Sequence, residues 1–437
     1  GAVLGVAAVA LGAIALVGIL SAPWVMRALT TGVDNAAVRE EQVQLGAIFL
    51  RCFAPQLVLY AWAMVATAAL HAQQRFVAPT LAPAASTVVV LLSFAAYAVV
   101  ASAARPLDQP RSHVLLLGLG TTAGVFALTL VPIIALARTG FSLRPRLDLR
   151  HPGLRLLRRL GGWAAVSLAA TQLLALGVVM FGVGVTGGLV IWQLAFTFFL
   201  VPHALLTQPI FTALFPRLAE AATSDDPEEV GRSTASGLRA VAFIIIPAAA
   251  AYVVLGRPLL TMLEYSRFRG SSLVWTADAV AALALGLLPY GAVQLITRSC
   301  YARGNARTPG LLTLLVAAVG LTGMAVAALE LPERHVISGM ALAHSAAYLV
   351  GAVVFIAREH LASAVAKPFA DAAVAGAAGG LAAWVVSELM HGAGRLGAFL
   401  EVAVGATALA VVYLGAQWLQ GSTELREVRR ILRLSLP

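Results

Sequence analysis

The run WQLAFTFFLVPHALLTQPIFTALFPR, Trp192 to Arg217, decides the fold class. It is apolar for longer than the roughly 20 residues that cross a hydrocarbon layer, yet Pro202, Pro209 and Pro216 interrupt it. Each proline removes a backbone donor, so a helix carried through them bends and leaves carbonyls that neighbours must satisfy. In a membrane such a helix either lines a cavity or moving interface, or is a tolerated kink in a structural span.

The same character extends over the whole chain. Its 437 residues are 60% hydrophobic and 11% charged, with a mean hydropathy of +0.88, whereas a soluble domain carries about 25% charge. The fold class is therefore all-α, a polytopic membrane helix bundle. Twelve spans are predicted, near residues 4–29, 46–71, 79–103, 113–137, 160–185, 189–215, 239–256, 274–300, 309–330, 335–357, 366–389 and 394–418. Cys52 and Cys300 both lie in apolar surroundings, so neither a disulfide framework nor a thiolate metal site is suggested, and no cofactor is implied.

The net charge of +10 is almost all arginine, since Lys367 is the only lysine. These charges fall between spans, where topology and anionic membrane lipids explain them and nucleic acid does not. With the first span running outward, 20 basic residues fall on one side and 9 on the other, Arg51 lying inside a span. The positive-inside rule then places both Gly1 and the C-terminus in the cytoplasm. Gly1 to Leu29 already reads as a full span, with no basic leader, initiator methionine or cleavage site. The sequence is thus expected to begin partway through a longer reading frame, or to be a shortened relative.

The most basic loop, Arg138 to Arg159, has Asp148 as its only acid and separates four spans from eight. It reads as a topology anchor at anionic headgroups or as a site for a lipid phosphate. Ser224, followed by Asp225, Asp226 and Pro227, predicts the start of an amphipathic surface helix that forms an elbow into the next span. The tail from Ser422 to Pro437 predicts a basic amphipathic helix on the inner leaflet, with gripping of a partner as the other reading.

Polar groups inside spans are functional candidates by default. Arg51 heads them, on a segment that Pro55 should bend; it faces a water-filled cavity and a phosphate, or it snorkels to the outer interface. Gln172, Gln193, Gln208 and Gln294 are cavity candidates whose other reading is interhelical hydrogen bonding. His203, directly after Pro202, is the best placed of this group for cavity contact. No Ser-His-Asp order, HExxH or glycine-rich phosphate loop is evident, so enzyme chemistry is poorly supported.

Three local motifs carry a resemblance. HAQQRFVAPTLAP at His71–Pro83, FPRLAEAA at Phe215–Ala222 and YARGNARTP at Tyr301–Pro309 stand in the order and at the separations found in the MurJ/MviN family of lipid II flippases. The similarity extends over essentially the whole chain. It implies the two-lobed fold of the MATE-like exporter superfamily, with a central cavity and two further C-terminal helices beside a lipid-tail groove. Against the family's fourteen spans this chain resembles the third to the fourteenth. The implied organisation is residues 1–137 as the rest of an N-terminal lobe, 138–159 as a basic cytoplasmic linker and 160–357 as a six-span C-terminal lobe. Residues 358–420 are then two additional spans and 421–437 a cytoplasmic tail.

The resemblance also implies an Asp, an Arg and a Glu ahead of Pro202, where this sequence has Phe196, Thr197 and Leu200. Thr197 thereby joins the cavity candidates in place of an arginine, and Arg51 is the basic position carried over. The function implied is an inner-membrane flippase for the undecaprenyl-pyrophosphate-linked peptidoglycan precursor, lipid II, or a related polyprenyl-diphosphate glycan, working by alternating access. The alternatives are a non-transporting scaffold that recruits cell-wall synthesis proteins, or an exporter of another lipid-linked glycan or of a small molecule.

Overall fold

The computed structural model describes residues 2–33, 35–101, 110–140, 152–223, 226–264, 270–390 and 394–426, and these are helical almost throughout. By contact the chain divides into two compact units, Gly1–Arg159 and Leu160–Pro437.

The first unit contains α1 (Ala2–Leu29), α2 (Ala36–Phe53), α3 (Gln56–Ala72), α4 (Val77–Val100) and α5 (Arg111–Ala137). Asn35 starts α2, its side-chain oxygen accepting from the backbone N–H groups of Ala37 and Val38, which fills two of the donors a helix start leaves open. Helices α2 and α3 form one apolar span of 37 residues, interrupted at Ala54 and Pro55. The interruption falls at the proline where a bend is expected. Helix α5 packs along α2, α3 and α4, and Gly118 permits the approach to α2. A Cβ there would sit 2.9 Å from the Cys52 sulfur.

The second unit begins within α6 (Pro152–Gly182), which starts eight residues before the predicted span, so part of the presumed linker is helix. Residues 141–151 of that linker lie outside the described residues. The Trp192–Arg217 run becomes α7 (Gly188–Pro202), a π-helical turn (His203–Thr207) and α8 (Gln208–Thr223). Three bends are suggested by the sequence, but the departure from α geometry is concentrated at Pro202–Thr207. Pro209 falls in the first turn of α8, where its missing N–H costs little, and α8 continues through Pro216.

Next comes α9 (Pro227–Met262), an unbroken helix of 36 residues. The predicted elbow is therefore absent among the described residues. The N-cap is Asp226, accepting from Glu229 N at 2.9 Å, while Ser224 and Asp225 lie outside the described residues. Helices α10 (Ser271–Ala284) and α11 (Leu287–Ala302) are bent against each other by 47° and are long and apolar enough for a span only when taken together. The unit closes with α12 (Arg307–Glu330), α13 (Glu333–Arg358), α14 (Ala362–Met390) and α15 (Gly394–Leu419). Of the predicted amphipathic tail, residues 427–437 lie outside the described residues. Among those described, 11 helices are long and apolar enough to cross a membrane, and 12 with the bent pair.

Two motifs singled out in the sequence form the same turn, one in each unit. Arg75 N donates to Leu70 O at 2.9 Å after Gln74 at φ +57°, and Asn305 N donates to Cys300 O at 2.9 Å after Gly304 at φ +69°. Both are helix ends closed by a left-handed residue. At the corresponding end of the second unit, Arg303 pairs with Glu359 and Arg239 with Glu424 at 3.1 Å.

Prolines inside the spans set the packing. A proline leaves the carbonyl four residues earlier without its helical donor, and four such carbonyls receive a side chain from another helix. Pro202 frees Phe198 O, taken by the Tyr252 hydroxyl at 3.0 Å. Pro247 frees Phe243 O, taken by Tyr413 at 2.7 Å. Pro368 frees Ala364 O, which faces Arg239 Nη1 at 3.5 Å. Pro23 frees Ile19 O, which faces Arg51 Nε at 3.4 Å.

Removing the Tyr252 hydroxyl (Y252F) should cost about 1–3 kcal/mol, the penalty of an unpaired buried polar group. In a P202A background the new backbone N–H takes over Phe198 O, and the same substitution should cost under about 1 kcal/mol. Unfolding midpoints of the four proteins of this cycle in detergent micelles check the coupling.

Candidate functional site

Arg51 lies in the last turn of α2 and borders a cavity of about 780 Å³ within the first unit. The wall comes from α1, α2 and α5 and carries Arg27, Arg51 and Arg111 with Glu40 and Gln44. Among the described residues only Arg27 of the three is near a carboxylate, 3.9 Å from Glu40, and both of those side chains are exposed. Three guanidinium groups against one carboxylate make the described lining of the chamber net positive. Arg51 uses Nε toward Ile19 O, while its terminal nitrogens have no protein partner among the described residues. A guanidinium so placed still offers a fork of donors to a phosphate.

The floor of this chamber is fixed by hydrogen bonds across the Pro55 break. The Thr122 hydroxyl donates to Cys52 O at 2.7 Å and accepts from Gln56 Nε2 at 2.8 Å. A second α5 hydroxyl, Thr129, reaches Leu59 O at 3.0 Å. These bonds hold α2 and α3 against α5, and so set where Arg51 emerges.

The second unit has its own chamber, about 530 Å³, between α6, α7, α11 and α13. Gln172 and Gln193 line it, as do Trp192, Phe196 and Tyr290. His344 and Tyr348, one turn apart on α13, line it from the buried side. The His344 ring sits 5.6 Å from Phe196 and Phe199 and 4.9 Å from Tyr348, and its Nδ1 has no hydrogen-bond partner. Phe196 lies in a stacked ladder, 6.0 Å from Trp192 and 5.4 Å from Phe199. Aromatic packing thus occupies one of the three positions where the resemblance implies charge, that of Phe196, while Leu200 is exposed.

The remaining sequence candidates have other places. His203 is buried behind the chamber, edge-on to Tyr290 at 4.7 Å and to Phe211 at 5.7 Å. It does not line the cavity: it continues the face of α7 that carries the buried Phe199, one turn further on. Gln208 accepts from Arg298 Nη2 at 3.0 Å, and that guanidinium lies 4.5 Å over Phe211. Gln294 donates to the Tyr290 hydroxyl at 3.0 Å. Thr197 is exposed and returns its hydroxyl to Gln193 O at 2.8 Å, a bond within its own helix. Arg27, Arg111, His344 and Tyr348 are residues the sequence reading did not select. The arginines looked like ordinary interfacial charges, although all three chamber arginines lie toward the same predicted face.

The family model described as Lipid II flippase MurJ matches residues 1–405. The chain belongs to the MurJ lipid II flippase family. Among curated relatives, the Lipid II flippase MurJ of Burkholderia cenocepacia is 27% identical over 312 residues, which is 69% of this chain and 57% of that protein. A probable lipid II flippase MurJ of Rhizobium meliloti is 26% identical over 311 residues, 69% of this chain and 55% of its own length. The chain thus spans little more than half of the curated relatives it matches. Among solved structures, a lipid II flippase MurJ in an inward closed conformation superposes with a TM-score of 0.75 at 15% identity, covering 96% of this chain and 84% of that one. An inward-facing multidrug resistance MATE family transporter of the MOP superfamily gives a TM-score of 0.63 at 12% identity, covering 82% and 81%. The MurJ and MATE-like bundle is therefore the fold of this multi-pass membrane protein.

In this MurJ-family chain, T122V keeps the shape of the side chain but removes both hydroxyl bonds at the Pro55 break. It should destabilise the protein by about 1–3 kcal/mol, whereas T122S should lie within about 0.5 kcal/mol of wild type. Thermal unfolding in micelles measures both.

Proposed function

We propose that the protein translocates a polyprenyl-diphosphate-linked glycan, the peptidoglycan precursor lipid II in the first instance, across the bacterial cytoplasmic membrane. The observation that carries this reading is the chamber of Arg27, Arg51 and Arg111, in which the terminal nitrogens of Arg51 have no protein partner among the described residues. A diphosphate brings negative charge and several acceptor oxygens, which a group of arginines matches by paired, charge-assisted hydrogen bonds. Hydrocarbon opposes passage of such a group, and a protein chamber lowers that barrier by replacing its hydration. Family membership supports the same substrate class.

The excess of basic residues on one predicted face puts Gly1 and the C-terminal segment in the cytoplasm. The Arg27, Arg51 and Arg111 chamber then opens toward the outer leaflet, where a headgroup is released. In the second unit the glutamine and aromatic lining of the other chamber suits sugars, which offer hydroxyls to amides and C–H faces to rings. Transport proceeds by alternating access, as expected for two-lobed transporters.

Phe196, Thr197 and Leu200 favour a second reading, a scaffold that holds cell-wall synthesis proteins without moving lipid. One experiment separates the two. The protein carrying this chain is reconstituted in liposomes with labelled lipid II, and appearance of the headgroup on the far side is timed. Flipping predicts transport in the wild type and a loss of about tenfold or more in R51A, the size expected for one charge-assisted hydrogen bond. Equal rates in wild type, R51A and protein-free liposomes would leave the scaffold reading.

A further inference from the structure

A cavity of about 700 Å³ that neither chamber includes lies between the α3–α4 turn and the end of α5. Its volume is in the range of small-molecule sites, roughly 300–1,000 Å³. Leu70, fully buried, with Ala78 and Ala135 makes a floor of short side chains; Phe76, Leu81 and Ile134 rise as exposed walls. Arg75 stands at its rim on the α3–α4 turn, and Arg138 at the C-cap of α5. Two features set this groove apart from ordinary lipid-facing surface. Neither guanidinium group has a hydrogen bond or an ion pair with any other residue among those described, and the sequence offers no local partner. No acid occurs between Glu41 and Asp108, nor between Asp108 and Asp148. The turn that carries Arg75 is also held rigid, Arg75 N being bonded to Leu70 O across the left-handed Gln74.

We propose that this groove is a binding site for one anionic glycerophospholipid, its phosphate held by Arg75 and Arg138 and an acyl chain lying over Leu70, Ala78 and Ala135. The charge argument selects the lipid. Two uncompensated guanidinium groups at a membrane boundary call for a phosphate, and the apolar trough below them calls for a chain attached to it. The site shares no lining residue with the Arg51 chamber.

Native mass spectrometry of the whole protein, released from micelles with phosphatidylglycerol or phosphatidylcholine, tests the assignment. Wild type should retain phosphatidylglycerol in preference, and R75Q/R138Q should lose that preference by about tenfold or more. A135F, which keeps both arginines but fills the trough, should weaken phosphatidylglycerol binding as well; L81W, placed on an exposed wall, provides the same test should A135F fold poorly. Inorganic phosphate at millimolar concentration should not displace the lipid. An unchanged preference in R75Q/R138Q, full binding by both trough variants, or displacement by free phosphate would each overturn the proposal.

Discussion

A carbonyl in hydrocarbon has no water to turn to, and at four places in this protein that constraint is met by a side chain from a neighbouring helix. Prolines break the internal bonding of α1, α7, α9 and α14, and the carbonyls they release face Arg51, Tyr252, Tyr413 and Arg239. Lipid-facing apolar surface gives little drive for one helix to pack on another in a membrane. The exposed carbonyl does, because its only good alternative is a donor on a neighbour. The bends therefore specify packing partners as well as shape. The Tyr413 contact lies within the apolar cluster of Leu255, Ala375, Ala383 and Leu409 that joins α9, α14 and α15.

Arg51 shows how this structural requirement passes into function. One nitrogen is directed to the Pro23 break of α1, which fixes the side chain in the chamber, and the rest of the guanidinium remains available. The two units then differ in chemistry. The first has an open basic chamber supported by hydroxyls of α5. The second has a chamber walled by rings around His344, above a core that includes Phe199, Phe211 and Phe355. Phe196 is stacked between Trp192 and Phe199 in this wall, while Thr197 and Leu200 are exposed on the same helix.

Hydropathy and prolines made the spans legible, because length and apolarity are local properties. The partners of the prolines were not legible. Tyr252 lies 54 residues from Phe198, and Tyr413 lies 170 residues from Phe243, and a tyrosine in an apolar run carries no sign of which carbonyl it meets. Arg51 could be selected for its depth. Arg27 and Arg111 could not, since each stands at a helix end where a snorkelling arginine is ordinary. His203 was favoured for its place after Pro202, yet it continues the buried face of α7 and packs edge-on to Tyr290 and Phe211. The pair that does line the chamber, His344 and Tyr348, has the one-turn spacing of a helix face, but so do many packed residues.

The claim on which the functional account rests is that water reaches Arg51 from one side of the membrane, well inside the α2 span. Thiol accessibility reads this directly. In a C52A/C300A background, R51C and the lipid-facing control L91C are placed in oriented vesicles and exposed to a membrane-impermeant thiol reagent. The account predicts rapid modification of R51C from the face opposite the C-terminal segment and none of L91C. Protection of R51C from both faces, at the level of L91C, would contradict it.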